Sequence, residues 1–461
     1  MPRILIANFN SEAMMEDRAG MTYEFACFTS IVATKHMWFA EPGDIVVLPE
    51  PLSKLMAEYV SRIKGFSILD EVRFLSPPSG LQKIGLVGFE YLQDGTFVEQ
   101  LKRLMSGPRG WTLMPYYFDR SIAALARDLA LPEGPGTAAF RLNGGHELFN
   151  DKRTFRSLAA ARGIPLADGE ICGSKEELLG AFNRLLDQTG AVIVKQNRHS
   201  CACGNLIVSL DKEMSRRGAF DISYITPHEP LERTVEMAWN RLASGGETYL
   251  IVEVYHPVQS ICYAEFEIKE TSMAPVFLNW GDQRMEPTFA GLEIPSAMPP
   301  FQAARFISGA MDLARLAKDV GFLGPLNVDG IVTESGRVLF NEINGRFGGS
   351  SHVHYLAELM IGPGYGDQVT VLTRNKIAAP HLQDVLEIMD AECLAFAQET
   401  GEGIILTGDD TARTGSLGIM AIGTSRARAE SIETKFSECM ALAADDRHVT
   451  SHSLSLEQTL H

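Results

Sequence analysis

The residue types best placed to do chemistry lie in one stretch, Leu326-Asn-Val-Asp-Gly-Ile-Val-Thr-Glu-Ser-Gly-Arg-Val-Leu-Phe-Asn-Glu-Ile-Asn344. It reads as two strands, 326–333 and 338–344, about a tight turn. With Ser335-Gly336 as a two-residue hairpin loop, Glu334 pairs with Arg337, an opposite-charge couple. Asp329 then falls opposite Glu342 and Asn327 opposite Asn344. Strand alternation puts these four on one face and Val328, Val332, Leu339 and Ile343 on the other, a row suited to a core. A loop of four keeps this register, whereas a loop of three shifts it and removes the pairing. Like charges directly opposite destabilise a sheet, so two carboxylates with Cβ atoms about 4.5–5.5 Å apart call for a cation between them. Asp329, Glu342 and the amide oxygen of Asn344 are hard ligands suited to Mg2+ bridging substrate phosphates. The competing reading is a solvated polar face that tolerates two acids.

Cations and donors flank this pair in sequence. Gly345-Arg-Phe-Gly-Gly-Ser-Ser351 follows the second strand and precedes a helix, an arrangement that exposes amide donors to an anion. Arg346 points to the same side as Asn344 if the strand continues, where it could neutralise a transferring phosphoryl group. Val192-Ile-Val-Lys195 ends a buried strand in a lysine, which is unusual unless the ammonium meets an anion. Lys152, at a helix start, is a second candidate phosphate ligand. Either lysine alone is more often a solvated surface group. Leu250-Ile-Val-Glu253-Val-Tyr255 is an apolar strand with one buried-looking acid, which could accept from an adenine amino group or a ribose. Gly348-Gly349-Ser350 and Arg284 are weaker candidates for a substrate carboxylate or phosphate. Neither a P-loop GxxxxGK[ST] nor a strand-linked GxGxxG occurs, and Cys201-Ala-Cys203 is too closely spaced for a CxxC redox or zinc motif.

The elements that must hold these residues follow from periodicity. Runs at 4–9, 44–49, 72–75 and 111–117 alternate with helical patterns at 52–63 and 97–105, predicting an α/β layer with a parallel sheet. The stretch 131–136, LPEGPG, reads as a linker. A second block carries helices at 151–162, 176–187 and 302–320 and strands at 191–195 and 249–255. A third has helices at 382–400 and 427–443 around a strand at 414–423. Domains are expected at 1–140, 141–365 and 366–461.

Composition bounds the function classes. The 461 residues, 45% apolar and 21% charged, can bury a full core, and the net charge of −17 disfavours nucleic acid and anionic membranes as partners. The absence of a long apolar run or a signal-peptide pattern, with seven cysteines in so long a chain, predicts a cytoplasmic protein with reduced thiols.

Taken in order, Lys152, the VIVK strand and its loop, the YLIVEV strand and the D(x12)EIN pattern with GRFGGS resemble the ATP-grasp superfamily over roughly residues 145–365. The resemblance implies a two-lobed ATP-grasp domain between an α/β pre-ATP-grasp domain and a small C-terminal α/β domain. It implies ATP and Mg2+, with Mn2+ as a substitute. Lys152 and Lys195 would contact phosphate, Glu253 and Tyr255 adenine, and Arg346 an acyl phosphate, while Asp329, Glu342 and Asn344 would hold the metal. The loop 198–205 falls where a glycine-rich lid lies, but here it has only Gly204. The ribose-binding acid falls near Ser260, leaving Glu265 or Glu267 as substitutes.

The implied activity is ADP-forming ligation. An amino-acid-like or guanidino acid is activated as an acyl phosphate and joined to the amine of an amino acid or peptide, as in peptide-forming ligases of natural-product biosynthesis. An ATP-grasp kinase and a non-catalytic nucleotide-binding protein are the alternatives. A homodimer is the base expectation for any self-association.

Overall fold

The structure, a computed structural model, describes residues 1–9, 11, 14, 23–78, 85–105, 107, 110–131, 138–226, 228–243 and 249–457. The linker expected at 131–136 lies, from residue 132 on, outside the described residues.

Short apolar runs form the first sheet: β1 (Arg3–Ile6), β2 (Ile45–Val47), β3 (Arg73–Leu75) and β4 (Thr112–Pro115), parallel throughout and ordered β3-β2-β1-β4. Continuous apolar strands of this kind are covered on both faces. Ile4, Ile6, Ile45 and Val47 pack with Phe97 and Leu101 of the helix Gly95–Met105. Leu5 and Val46, on the opposite face, belong to one core with Ile404, Met420 and Phe436 from the far end of the chain. The first and last thirds of the sequence are therefore packed against each other.

A second sheet contains β5 (Gly169–Cys172), β6 (Ala191–Gln196), β7 (Asn205–Ser209), β8 (Asp221–Tyr224) and β9 (Leu250–Val254), in the order β5-β9-β6-β7-β8. The helix Lys175–Thr189 buries Leu178 and Phe182 against Val192, Val194 and Val252. Its start is fixed by the Ser174 side chain accepting from the Glu177 amide and its end by Gly190 at φ +75°, where a Cβ would be strained.

The third sheet holds β10 (Val258–Ile268), β11 (Val276–Met285), β12 (Phe289–Ile294), β13 (Gly324–Thr333), β14 (Val338–Asn344), β15 (Thr370–Ala378), β16 (Gly403–Asp410) and β17 (Ser416–Gly423). All its pairings are antiparallel, in the order β14-β13-β10-β11-β12-β15-β17-β16. Strands β15–β17 thus continue the sheet that carries the candidate carboxylates. Strands β10–β12, β15 and β16 are additions to the sequence reading. Four of them contain bulges or register shifts, between Glu265 and Phe266, Arg284 and Met285, Arg374 and Ile377, and Leu406 and Gly408, which break the period-two alternation that betrays a strand. The helix expected over 382–400 ends at Ala391.

The helix Pro300–Val320, closed by Gly321 at φ +105°, covers one face of this sheet. Its Phe306 stacks on Phe340 with ring centroids 5.5 Å apart. No helix among the described residues is long and apolar enough to cross a membrane.

Candidate active site

The β13–β14 hairpin delivers the predicted juxtaposition by a different route. The loop is of three residues: the Thr333 amide donates to the Arg337 carbonyl at 2.9 Å, and Gly336 sits at φ +79°. By itself this loop would slide the strands by one residue, so Val332 pairs with Val338 and Gly330 with Phe340. A bulge at Asn341 then shifts the register back, and Asp329 opposes Glu342 and Asn327 opposes Asn344 as expected. The core-facing row changes accordingly. Val338 and Phe340 join Val328, Val332 and Ile343 in the core, while Leu339, expected there, pairs with Ile331 outside that cluster.

The polar side of the hairpin forms part of a cleft of about 200 Å³. Asn344 Nδ2 donates to Asp329 Oδ2 at 3.1 Å and to Glu342 Oε1 at 3.2 Å, and Gln283 Nε2 donates to Asp329 Oδ1 at 2.9 Å. Lys152 Nζ lies 3.1 Å from Glu342 Oε2. Burial, followed by the Glu342 charge, pushes the Asp329 carboxyl well above the usual range. Burial also works against the Glu342 charge, but Lys152 and the hydrogen bonds around it outweigh that cost and hold Glu342 low. The pair therefore keeps a proton on the Asp329 side, as two crowded acids must when no cation separates them. That crowding is the feature that fits a divalent ion. No group of three or more histidine, cysteine, aspartate or glutamate side chains suited to a metal occurs among the described residues. A Mg2+ site of one or two carboxylates completed by phosphates and water needs no such group.

Lys152 owes its place to the start of the helix Lys152–Ala161, where the Asp151 side chain accepts from the Thr154 amide at 2.8 Å. Asn197, just beyond β6, clamps this helix start to the strand: its Nδ2 donates to Asp151 Oδ2 at 2.7 Å and its Oδ1 accepts from the Arg153 amide at 3.1 Å. Arg346 Nη2 donates to Asn344 Oδ1 at 3.0 Å, and its Nε is buried without a partner among the described residues.

Lys195 and Glu253 meet across neighbouring strands β6 and β9. Lys195 Nζ lies 2.5 Å from Glu253 Oε2, and Arg156 holds the other oxygen. Glu253 is only 3% exposed. Each of its oxygens already accepts from a cation, so an adenine or ribose in the cleft that Glu253 lines would have to share it with Lys195 and Arg156. Arg156 was missed, although its i+4 spacing from Lys152 puts both on one helix face. Tyr255 lines the cleft beside Ile193, Val258, Ile261 and Ile331, a flat apolar wall, and its hydroxyl donates to the Arg217 carbonyl at 2.8 Å.

Two expected sites fall elsewhere. Arg284 does not line the cleft. Its guanidinium grips Glu433 on the long C-terminal helix through two bonds of 2.5 and 3.0 Å, because β11 directs it to the neighbouring groove. Neither Glu265 nor Glu267 lines the cleft. Glu265 is buried and accepts from Ser350 Oγ and Asn279 Nδ2, both at 2.8 Å, and from Ser351 Oγ. It fastens the Gly348–Ser351 turn from beneath. Ser350 Oγ also donates to Asn327 Oδ1 at 3.2 Å.

The segment 198–205, expected to be a lid, carries Gly204 at the cleft wall, and its Cys201 and Ala202 both adopt left-handed φ near +60°. Such a conformation is sparsely populated outside glycine and marks local strain.

A Cβ on Gly348 would sit 2.6 Å from Asn327 Nδ2 and Oδ1. Gly348→Ala is therefore expected to displace the turn against Asn327 and to lower kcat/KM by about 10²-fold, the scale of a 1 Å misplacement. Steady-state kinetics with unchanged circular dichroism would check it.

Comparison with known proteins matches the sequence to the Pre ATP-grasp domain over residues 33–131 and to the PGM1 C-terminal domain over residues 384–436. No curated protein matches the chain. Among solved structures, N5-carboxyaminoimidazole ribonucleotide synthetase in an ADP complex is similar at 12% identity and a TM-score of 0.56, over 95% of this chain and 97% of that one. The N5-carboxyaminoimidazole synthetase of Staphylococcus aureus is similar at 11% identity and 0.54, over 95% and 96%. The biotin carboxylase β-γ-ATP complex of Campylobacter jejuni is similar at 12% identity and 0.55, over 93% and 88%. At such identities the likeness is one of fold. The chain has an ATP-grasp fold, preceded by an α/β pre-ATP-grasp domain and followed by a small C-terminal domain.

Proposed function

We propose that this protein is an ATP-dependent, ADP-forming carboxylate–amine ligase acting in the cytoplasm. The observation that carries the reading is the half-buried Asp329–Glu342 pair, with Lys152 at 3.1 Å from Glu342 and Arg346 bound to Asn344, all in one cleft with an apolar wall. Asp329 and Glu342, with the Asn344 amide oxygen once it turns from Arg346, would hold Mg2+ or Mn2+, which when bound neutralises ATP phosphate oxygens. Lys152 and Arg346 supply the remaining positive charge, and Lys195 joins them to the extent that Glu253 shares it. Phosphoryl transfer depends mainly on such positioning and neutralisation. A substrate carboxylate attacks the γ-phosphorus, the β–γ bridging bond breaks to release ADP, and an amine then displaces phosphate from the acyl phosphate with loss of a proton. The lid over Gly204 and the Gly348–Ser351 turn would keep water from the acyl phosphate.

The finer reading is a peptide ligase of natural-product biosynthesis, joining an amino-acid-like or guanidino acid to an amino acid or peptide. It is supported by the sequence resemblance of the flanking domains to the peptide ligase of pheganomycin biosynthesis. The similar solved structures bear names of enzymes acting on small molecules, which favours small-molecule partners over nucleic acid or membrane.

Supplying Mg·ATP with a pool of amino acids, guanidino acids and short peptides tests this. The expected result is ADP together with a product one water lighter than acid and amine combined. ADP with a phosphorylated product and no amide would replace the ligase by a kinase, and AMP would overturn the reading.

A further inference from the structure

Lys35 is an anomalous charge. It sits in the turn of 3-10 helix Lys35–Phe39, is 4% exposed and lines the cleft, yet it has no carboxylate partner among the described residues. Its Nζ makes one hydrogen bond, donating to Asn375 Oδ1 of β15 at 2.7 Å. A buried ammonium without a counter-charge is costly, and proteins rarely retain one unless an anion visits. Burial indeed draws its pKa down to about 8.

Its surroundings point the same way. Asn375 is itself buried, and its Nδ2 has no acceptor among the described residues. His36 and His352 line the same end of the cleft, and burial keeps both neutral at ordinary pH. The other walls are Phe39, Phe289 and Phe347. The ammonium, with N–H groups to spare, and the unpaired Asn375 amide NH2, set among apolar walls, match the oxygens of a monovalent carboxylate. A phosphate dianion would find only one positive charge at this end, and a guanidinium would meet Lys35 with no free carboxylate beside it among the described residues. The Cys201 thiol feels the charges of both Arg346 and Lys35, so this end adjoins the Glu342–Arg346 end.

We infer that Lys35 and Asn375, contributed by the first and last thirds of the chain, form a subsite for a carboxylate of the substrate. This rests on the ligase reading for the word substrate, and it narrows that reading: the group lodged here is an anion, and a guanidino end must lie elsewhere.

The test uses the full chain saturated with Mg2+ and a non-hydrolysable ATP analogue, titrated calorimetrically with malonate, succinate and glutarate in turn. The expected result is one-to-one binding of at least one of them, weakened tenfold or more by Lys35→Met and several-fold by Asn375→Leu. Nucleotide affinity should stay within twofold. Lys35→Arg should restore part of the anion affinity. Lys35→Met should also melt no lower than the parent, since it removes an unpaired buried charge. Failure of all three acids to bind, or equal binding by Lys35→Met, would overturn the subsite. Loss of nucleotide binding by the parent protein would instead strike the ligase reading, and dicarboxylate binding without nucleotide would leave the subsite standing.

Discussion

Glu342→Gln is expected to lower ADP formation by about 10²–10³-fold, the scale associated with removing one preorganised electrostatic group from a reaction site. Glutamine matches the shape of glutamate, so the β13–β14 register and the Asn344 bond at 3.2 Å can persist. What disappears is one of the two carboxylates proposed to hold a divalent ion, and with it the counter-charge to Lys152. The crowding that now keeps a proton on Asp329 is relieved at the same time. Asp329 can then ionise and meet Lys152 itself, so the fold should survive. Activity should fall most steeply at low Mg2+ and recover in part as Mg2+ is raised. ADP release measured across a Mg2+ series, with circular dichroism as control, checks this. Parental turnover in a folded Glu342→Gln protein would sink the metal assignment.

Glu253→Ala is expected to be the most destabilising single change at the site, costing about 3–5 kcal/mol, because it strands two buried cations at once. Lys195 at 2.5 Å and Arg156 on the other oxygen both lose their counter-charge in a place that water reaches poorly. Lys195→Met should cost less, since Arg156 still neutralises Glu253, while reducing turnover if Lys195 also serves phosphate. The two variants therefore separate support from chemistry: one loses stability, the other activity. Burial alone would raise the Glu253 pKa, but Lys195 and Arg156 prevail and hold it below the ordinary carboxylate value. A carboxyl lowered in the folded state stabilises above its unfolded pKa, and that stability drains away as pH falls through the lowered one. The parent should lose this increment only in acid, below the ordinary carboxylate range, and Glu253→Ala should lack that part of the pH dependence. Denaturant unfolding at neutral pH and in acid measures both effects.

How much was legible in the sequence depended on the range of the interaction. The parallel sheet of the first third, the ends of helices such as Lys175–Thr189 and Pro300–Val320 and the facing of Asp329 with Glu342 follow from alternation, caps and glycines that act within a few residues. The hairpin shows the limit even there. Pairing chemistry pointed to the right partners, but the three-residue loop and the compensating bulge at Asn341 emerge only when Val338 and Phe340 pack beneath Phe306 and Val328. Bulged strands such as β10 and β11 hide their period and so went unseen.

The sequence by itself determined the chemistry available: two acids in register, an asparagine and an arginine beyond them, and lysines at a helix start and a strand end. Only the tertiary structure decided which of these are committed to one another. It gave Glu253 to Lys195 and Arg156, Glu265 to Ser350 and Ser351, and Arg284 to Glu433, and it set the last two of these three away from the cleft lining. It also brought Lys35 within 2.7 Å of Asn375, 340 residues away, with no acid among the described residues to meet it. The physical reason is that burial and charge pairing depend on what packs across hundreds of residues, whereas spacing reports only on neighbours along the chain.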